Sequence, residues 1–97
     1  MTPIEALEAI HRLLEQRDTI SLTAHVRIRM RQRNFTMDDI RRVLLKGIVS
    51  PHAEWDETSC NWKYKISGRD YDNQPLALVV VIEPSIYRIT VITGTDD

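Results

Sequence analysis

The first part of the chain places apolar residues at helical spacing. Between Thr2 and Asp18 one stripe is formed by Ile4, Leu7, Ile10 and Leu14. Thr2 is a suitable N-cap, Pro3 suits the first helical position, and Glu5 can complete a capping box with Thr2. The pattern predicts an amphipathic helix of about four turns over this segment.

Two further helices are predicted close together. The first begins after Thr23 and ends near Asn34, a residue that tolerates the left-handed conformation common at a helix C-terminus. The second begins at Thr36, which can form a capping box with Asp39, and ends at Gly47. Its predicted buried stripe consists of Met37, Ile40, Val43 and Leu44.

The second half of the chain has the composition of β-strands. Segments rich in Val, Ile and Tyr cover Lys63–Ser67, Leu76–Ile82 and Arg88–Thr93, and the sequences GRDYDNQP and EPS separate them. Strands joined by short turns pair as an antiparallel meander. We therefore predict an α+β fold in which N-terminal helices pack on a small antiparallel β-sheet.

Length and composition indicate one small domain over residues 1–97. The chain has 42% hydrophobic and 28% charged residues, which is typical of a globular protein. A core of this size is modest, so assembly into a homo-oligomer is compatible with it. The single Cys60, the absence of a secretory start and the absence of a long apolar run predict a cytoplasmic protein without membrane contact.

Positive charge is concentrated in one segment. Residues 1–50 carry nine Lys and Arg against six Asp and Glu, a balance of +3, and residues 51–97 carry four against eight, a balance of -4. From Thr23 to Lys46 the balance is seven against two, or +5. An anionic partner would bind there. The pI of about 6.3, however, is unlike that of proteins that coat nucleic acid.

The two adjacent helices do not fit a DNA-binding helix-turn-helix. In that motif the start of the second helix meets the base edges, but here it carries Asp38 and Asp39. A polyanion would repel these carboxylates, whereas the positive end of an ordinary helix stabilises them.

A ladder of basic residues follows one flank of the helix that begins after Thr23. At about 100° per residue, His25, Arg29 and Arg33 share one sector, and Arg27 and Arg31 lie opposite. Like charges at this spacing destabilise a helix slightly, so the ladder can indicate a bound anion. The alternative, which spacing alone favours, is that the arginines pair with acidic residues elsewhere or lie in water.

The order and spacing of these residues resemble a family of small bacterial domains, domain of unknown function 4258. The resemblance rests on His25, the Arg-Met pair at 29–30, Arg33, Thr36 before DDI, and the segments ISGRD, LVVVI and ITVIT. It covers about residues 23–93, and the predicted helix at residues 1–18 lies outside it.

The resemblance also assigns particular positions. The characteristic polar residues of the family fall on His25, Arg29, Arg33, Gly68, Arg69 and Asp70. Two positions depart from the pattern: Asn34 stands where glycine is common, and Gly94 stands where an aromatic residue is frequent. Asn34 is a mild change because asparagine also enters the left-handed region, whereas Gly94 removes a ring that could stack on a base.

The resemblance implies a RelE-like fold, since the family is regarded as related to the RelE and BrnT type of toxin. Such proteins are ribonucleases of toxin–antitoxin pairs, so RNA and a cognate antitoxin are the implied partners. Cleavage would use the 2′-hydroxyl of the RNA, without metal or other cofactor. It would need a proton-transfer group and cations for the transition-state charge. The candidate catalytic residues are His25, Arg29, Arg33 and Arg69, and the candidate binding residues are Tyr64 and Asp70.

Each of these assignments has an alternative. The GRD sequence can simply form a turn, and Tyr64 can pack in the sheet. No metal site is expected, because the three histidines and Cys60 lack ligand spacing. For the whole protein, the alternative is a non-catalytic binding module in which the same arginines dock an acidic segment of a partner protein.

Overall fold

The computed structural model describes residues 1–16 and 19–95. These residues form three α-helices, six strands and one short 3-10 helix. In chain order the elements are α1 (Pro3–Leu13), β1 (Ile20–Leu22), α2 (Ala24–Arg33), α3 (Met37–Lys46), β2 (Ile48–Val49), β3 (Glu54–Asp56), β4 (Asn61–Arg69), β5 (Pro75–Glu83), the 3-10 helix (Pro84–Ile86) and β6 (Arg88–Thr95).

The sheet has the strand order β1-β6-β5-β4-β2, and β3 also pairs with β4. The strands β4, β5 and β6 form the predicted antiparallel meander, so the α+β fold class is confirmed. The sheet is not wholly antiparallel, because β1 pairs with β6 in parallel and places Ile20 opposite Ile89. The sequence pattern misses β1, β2 and β3, since strands of two or three residues are too short to show alternation.

One face of the sheet carries the core, and α1 and α3 pack against it. The meander contributes several fully buried side chains to this core, among them Ile66, Leu78, Val80, Ile89 and Val91. Opposite them, α3 buries Ile40, Val43 and Leu44, as the sequence predicts. Met37 differs from the prediction: it is 37% exposed, because it is the first residue of the helix and lies outside the main contact.

The first helix is shorter than predicted, and its buried side agrees with the predicted stripe at Leu7, Ile10 and Leu14 but not at Ile4. The capping box of Thr2 and Glu5 forms, but α1 ends at Leu13, and Asp18 lies outside the described residues. The predicted stripe is partly wrong, since Ile4 is 68% exposed. The buried side of α1 consists of Ala6, Ala9, Ile10 and Leu13, with Leu14 just beyond it. The two alanines let this side approach the sheet closely.

The ends of α2 and α3 form as predicted. The hydroxyl of Thr23 accepts a hydrogen bond from the Val26 N–H, and Asn34 ends α2 in the left-handed conformation with φ of 56°. Thr36 and Asp39 form the capping box of α3. Gly47 ends α3 without a positive φ, so the reason for glycine there is space rather than backbone conformation.

Candidate anion-binding face

The helix α2 lies along the part of β6 that β1 leaves uncovered. Strand β1 pairs with β6 only from Ile89 to Val91. At the next position, Thr23 donates its N–H to the Val91 carbonyl (3.3 Å) and its hydroxyl to the Ile92 carbonyl (3.0 Å). The ladder between β5 and β6 also shifts register here, because Ile92 is an extra residue. The N-terminus of α2 is therefore fixed to the bulged edge of β6.

Arg29 is half-buried and contributes to the same attachment. Its Nε donates a hydrogen bond to the Gly94 carbonyl at 3.3 Å. Gly94 itself is buried, and a Cβ there would lie 2.8 Å from Cζ of Phe35. A side chain at position 94 would therefore be directed at Phe35 and not toward a bound base.

The arginines of α2 carry an unbalanced positive charge. The helix contains no Asp or Glu, and only Val26 among its residues is buried. Within the described residues, no acidic side chain forms an ion pair with Arg27, Arg29 or Arg31. For these three arginines, the structure therefore does not show the predicted alternative, which is pairing with acidic residues elsewhere. We call the exposed surface of α2, which carries His25, Arg27, Ile28, Arg31 and Gln32 together with the half-buried Arg29, the α2 face.

The two ends of the predicted ladder have different surroundings. His25 is exposed in the first turn of α2, and no hydrogen bond to its ring occurs in the described part of the chain. Arg33 lines a pocket together with Asp70, Asp72, Asn34 and other residues. Because two carboxylates share that pocket, it is a poorer place for an anion than the His25 end.

Arg69 belongs to a different part of the surface from the α2 ladder. It lies at the end of β4 and lines a pocket with Arg42 and Lys46 of α3. Its Nη1 donates to the Asn73 carbonyl at 2.9 Å. The structure thus groups Arg69 with the cations of α3.

The two candidate binding residues, Tyr64 and Asp70, both make internal contacts. Tyr64 is only 4% exposed, and its hydroxyl donates to the Met1 carbonyl at 3.0 Å. Burial, with a smaller effect of the Glu5 charge, raises the pKa of Tyr64. Stacking on a base would require the ring to leave the core.

Asp70 holds the turn between β4 and β5. Its Oδ1 accepts the N–H groups of Asp72 (2.9 Å) and Gln74 (2.8 Å). This is the structural alternative considered for the GRD sequence, and it accounts for the aspartate. Arg69 also contributes to the turn through its hydrogen bond to the Asn73 carbonyl, whereas Gly68 is not explained by the turn.

Sequence reasoning missed a buried carboxylate that connects α3 to this turn. Asp39 completes the capping box through Oδ2 and accepts the Tyr71 N–H through Oδ1 at 2.9 Å. Burial by itself would raise its pKa, but hydrogen bonds from Tyr71 and Thr36 and the charge of Arg42 outweigh burial and lower the pKa of Asp39. The sequence shows the capping role but has no signal for a partner 32 residues away.

A second basic surface lies on the opposite face of the sheet. There, His52, Lys63 and Lys65 line a groove with Ser50, Glu54, Val79, Ile92 and Thr93. Lys63 is paired with Glu54 at 3.8 Å, which reduces the net charge of the groove. Alternation of Lys63 and Lys65 with the buried Tyr64 and Ile66 was the available sequence signal.

A small α+β domain with a basic, acid-free helix on its sheet edge is the class of protein that these observations define. The model of one family, Domain of unknown function (DUF4258), matches residues 22–93, and the chain belongs to this family. Searches of the curated proteins and of the solved structures gave no match. The matched residues do not include α1, in agreement with the range of the resemblance described in the sequence analysis.

Residues 1–16 and 19–95 contain neither a membrane-spanning helix nor a cluster of metal ligands. None of their helices combines the length and apolar character needed to cross a membrane. Within the same residues, no group of three His, Cys, Asp or Glu side chains is placed to hold a metal ion.

Proposed function

We propose that the protein binds single-stranded RNA on the α2 face and acts as a toxin-like ribonuclease. The observation that carries the proposal is the unbalanced charge of Arg27, Arg29 and Arg31, which have no acidic partner among the described residues. Phosphates of a nucleic acid strand would balance it and release counterions. The aspartates at the start of α3 argue against reading of duplex DNA by that helix.

His25 is the proton-transfer group in this proposal. It is exposed on the α2 face four residues before Arg29, and histidine is the side chain best suited to exchange protons near neutral pH. The other histidines lie elsewhere: Nε2 of His11 donates to the Leu44 carbonyl, and His52 lies on the opposite sheet face. One histidine supplies only one of the two proton transfers, so we expect slow cleavage.

The structure determines which variants test this function most clearly. Arg29→Ala removes the hydrogen bond to the Gly94 carbonyl. A loss of activity in this variant would not distinguish weaker RNA binding from lower stability. Arg31 is exposed and makes no such contact, so Arg31→Gln is the cleaner probe of the α2 face. Arg12→Gln removes the same charge from the exposed side of α1 and serves as the matched control.

The first test is binding of a labelled single-stranded RNA of about ten nucleotides at low and moderate salt. With three phosphate contacts, the logarithm of the affinity should fall with the logarithm of the salt concentration with a slope of about 2. Arg31→Gln should weaken binding and Arg12→Gln should not. If wild-type protein does not bind RNA at low salt, the ribonuclease proposal fails.

The second test is cleavage in vitro, together with controlled expression in a bacterial host. Expression of the wild type should arrest growth. His25→Ala should abolish both cleavage and this growth arrest, while RNA binding remains. His52→Ala removes an imidazole from the opposite sheet face and should leave both unchanged. Normal growth on expression of the wild type, with RNA binding intact, would support binding without catalysis.

A second candidate function is docking of an acidic segment of a partner protein, such as an antitoxin. It is favoured by Ile28, which is 48% exposed among the arginines of the α2 face. Burial of an apolar side chain against a protein partner contributes binding free energy that salt does not screen. The phosphates of RNA cannot make such an apolar contact. Ile28→Ser should therefore weaken the binding of a protein partner but leave the affinity for RNA within about twofold of wild type.

A further inference from the structure

A pocket beside the end of α3 is lined by three cationic side chains and no acidic one. Arg42 and Lys46 come from α3 and Arg69 from β4, and the remaining lining consists of Val43, Gly47, Ile48, Ser67 and Gly68. Its volume is about 260 Å³, which leaves room for a small anionic group. None of the residues of α2 lines it.

Two glycines bring these cations together. A Cβ on Gly47 would lie 2.5 Å from the Val43 carbonyl oxygen and 2.8 Å from that of Ser67. A Cβ on Gly68 would lie 3.4 Å from Cα of Gly47. The end of α3 and the strand β4 therefore meet backbone to backbone. A larger residue at position 47 would push α3 away from β4 and separate its cations from Arg69.

The two arginines are held by contacts on the outer side of the pocket. The guanidinium of Arg42 lies 4.8 Å from the centre of the Tyr71 ring, and the Tyr71 N–H is fixed by Asp39. Nη1 of Arg69 is fixed by the Asn73 carbonyl. Each guanidinium has five N–H donors, so these contacts orient the arginines and leave donors for a ligand.

The dipole of α3 accounts for only part of this arrangement. The negative end of a helix stabilises nearby cations, which explains Lys46 in the last turn of α3. Arg69 comes from β4 and adds a third positive charge to the pocket. The charge of Asp39 acts on Arg42 from outside the lining, so a bound anion would relieve the repulsion that remains. In the turn formed by Asp70, Arg69 supplies one hydrogen bond, to the Asn73 carbonyl, and this bond leaves its other N–H donors unused.

We propose that this pocket binds a terminal phosphate group. Near neutral pH such a group carries about two negative charges, which matches three cations better than the single charge of a phosphodiester. Arginine also offers paired N–H groups that suit phosphate oxygens. The phosphate can belong to the 5′ end of an RNA or to a small phosphorylated molecule. The pocket is separate from the α2 face, so the inference does not rest on the proposed ribonuclease activity.

The first experiment titrates the full chain with inorganic phosphate and follows the amide signals of Gly47 and Gly68 by NMR. Wild-type protein should show a saturable shift of both signals. Lys46→Gln and Arg69→Gln should each weaken the affinity about fivefold or more, because each removes a charge-assisted hydrogen bond. Lys46 is exposed, so its variant should fold normally even if Arg69→Gln does not.

Arg41→Gln is the matched control, because it removes one positive charge from the same helix at a position that does not line the pocket. Its phosphate affinity should stay within about twofold of wild type. The absence of a saturable shift would overturn the proposal, as would an equal loss of affinity in Arg41→Gln and Lys46→Gln.

A second experiment distinguishes the two sources of the phosphate. A 5′-phosphorylated RNA, the same RNA with a 5′-hydroxyl, and a nucleoside monophosphate are compared in wild type and Arg69→Gln. Preference for the phosphorylated RNA that Arg69→Gln abolishes assigns the pocket to RNA ends. Binding of the monophosphate without an RNA preference assigns it to a small molecule. If Arg69→Gln matches wild type with all three probes, the pocket does not bind terminal phosphate.

Discussion

The helices α2 and α3 are both ten residues long and follow one another closely, yet their surroundings differ in almost every respect. α3 buries Asp39, Ile40, Val43 and Leu44, whereas α2 buries only Val26. α2 carries four arginines, of which Arg27 and Arg31 are exposed and without acidic partners among the described residues. The difference indicates that the buried side of α3 stabilises the fold, whereas α2 contributes little to the core and mainly presents charge. Substitutions should therefore separate stability from binding.

The largest expected effect is loss of stability from the core side of α3. Leu44 is fully buried, so Leu44→Ala should lower the free energy of unfolding by about 2 to 5 kcal/mol through lost burial and a cavity. In a domain of this size the melting temperature should fall by about 10 °C or more, measurable by circular dichroism. Met37→Ala in the same helix, at a partly exposed position, is the control and should cost far less. An unchanged midpoint for Leu44→Ala would contradict the assignment of α3 to the core.

The next effect concerns the buried carboxylate of α3. Asp39→Asn weakens three hydrogen bonds, from the Thr36 N–H, the Thr36 hydroxyl and the Tyr71 N–H. It should lower the free energy of unfolding by about 1 to 3 kcal/mol at neutral pH. Asp38→Asn, at the exposed neighbouring position, should cost less than about 1 kcal/mol. Urea unfolding measures both.

The same carboxylate gives a pH dependence with a definite sign. Because the pKa of Asp39 is lowered from its ordinary value of 3.8, its charge stabilises the folded state fully above that value. The contribution is lost as the pH falls through the lowered pKa. The stability difference between wild type and Asp39→Asn should thus be largest near neutral pH and shrink below about pH 4. A difference that grew on acidification would mean that the carboxylate is not stabilised in its charged form.

A smaller effect is expected at the junction of the two helices. Asn34 has φ of 56°, a conformation that alanine adopts at a cost of about 1 kcal/mol and glycine adopts freely. Asn34→Ala should lower the melting temperature by a few degrees, and Asn34→Gly should leave it nearly unchanged. Equal destabilisation by both would show that the asparagine side chain, and not the backbone, matters there.

The smallest effect on stability should come from the α2 face, where the effect on binding is largest. Arg31→Gln should change the free energy of unfolding by less than about 0.5 kcal/mol. It should also reduce the salt slope of RNA binding by about 0.7, the share of one phosphate contact. A loss of stability comparable with that of Leu44→Ala would remove the distinction between the two helices.

The sequence predicted α3 and the meander well because each has a strong local signal. The capping box, the apolar stripe and Gly47 specify α3, and the long Val and Ile run of β5 specifies a buried strand. β1 is three residues long and is held by a partner near the other end of the chain, so no local pattern could reveal it.

The candidate site was only partly predictable, for a similar reason. The charge of α2 is visible in the sequence, but the hydrogen bond from Arg29 to Gly94 joins residues 65 positions apart. The position of Tyr64 fits the alternation of a strand, but the sequence alone does not say which face of the sheet is covered. It also does not show that the Met1 carbonyl accepts a hydrogen bond from the Tyr64 hydroxyl. The grouping of Arg69 with Arg42 depends on the close approach of two glycines, which is a property of the folded chain.

The parallel pairing of β1 with β6 has a consequence for synthesis on the ribosome. In the described part of the chain, β6 is the only strand that pairs with β1, and it also holds Thr23 and Arg29 at the two ends of the α2 attachment. These partners are translated after all the other described elements, because β6 follows them in the chain. An unfinished chain can bury α3 against β4 and β5, but its α2 has no edge on which to dock. The arginine-bearing surface is thus assembled only after β6 has left the ribosome.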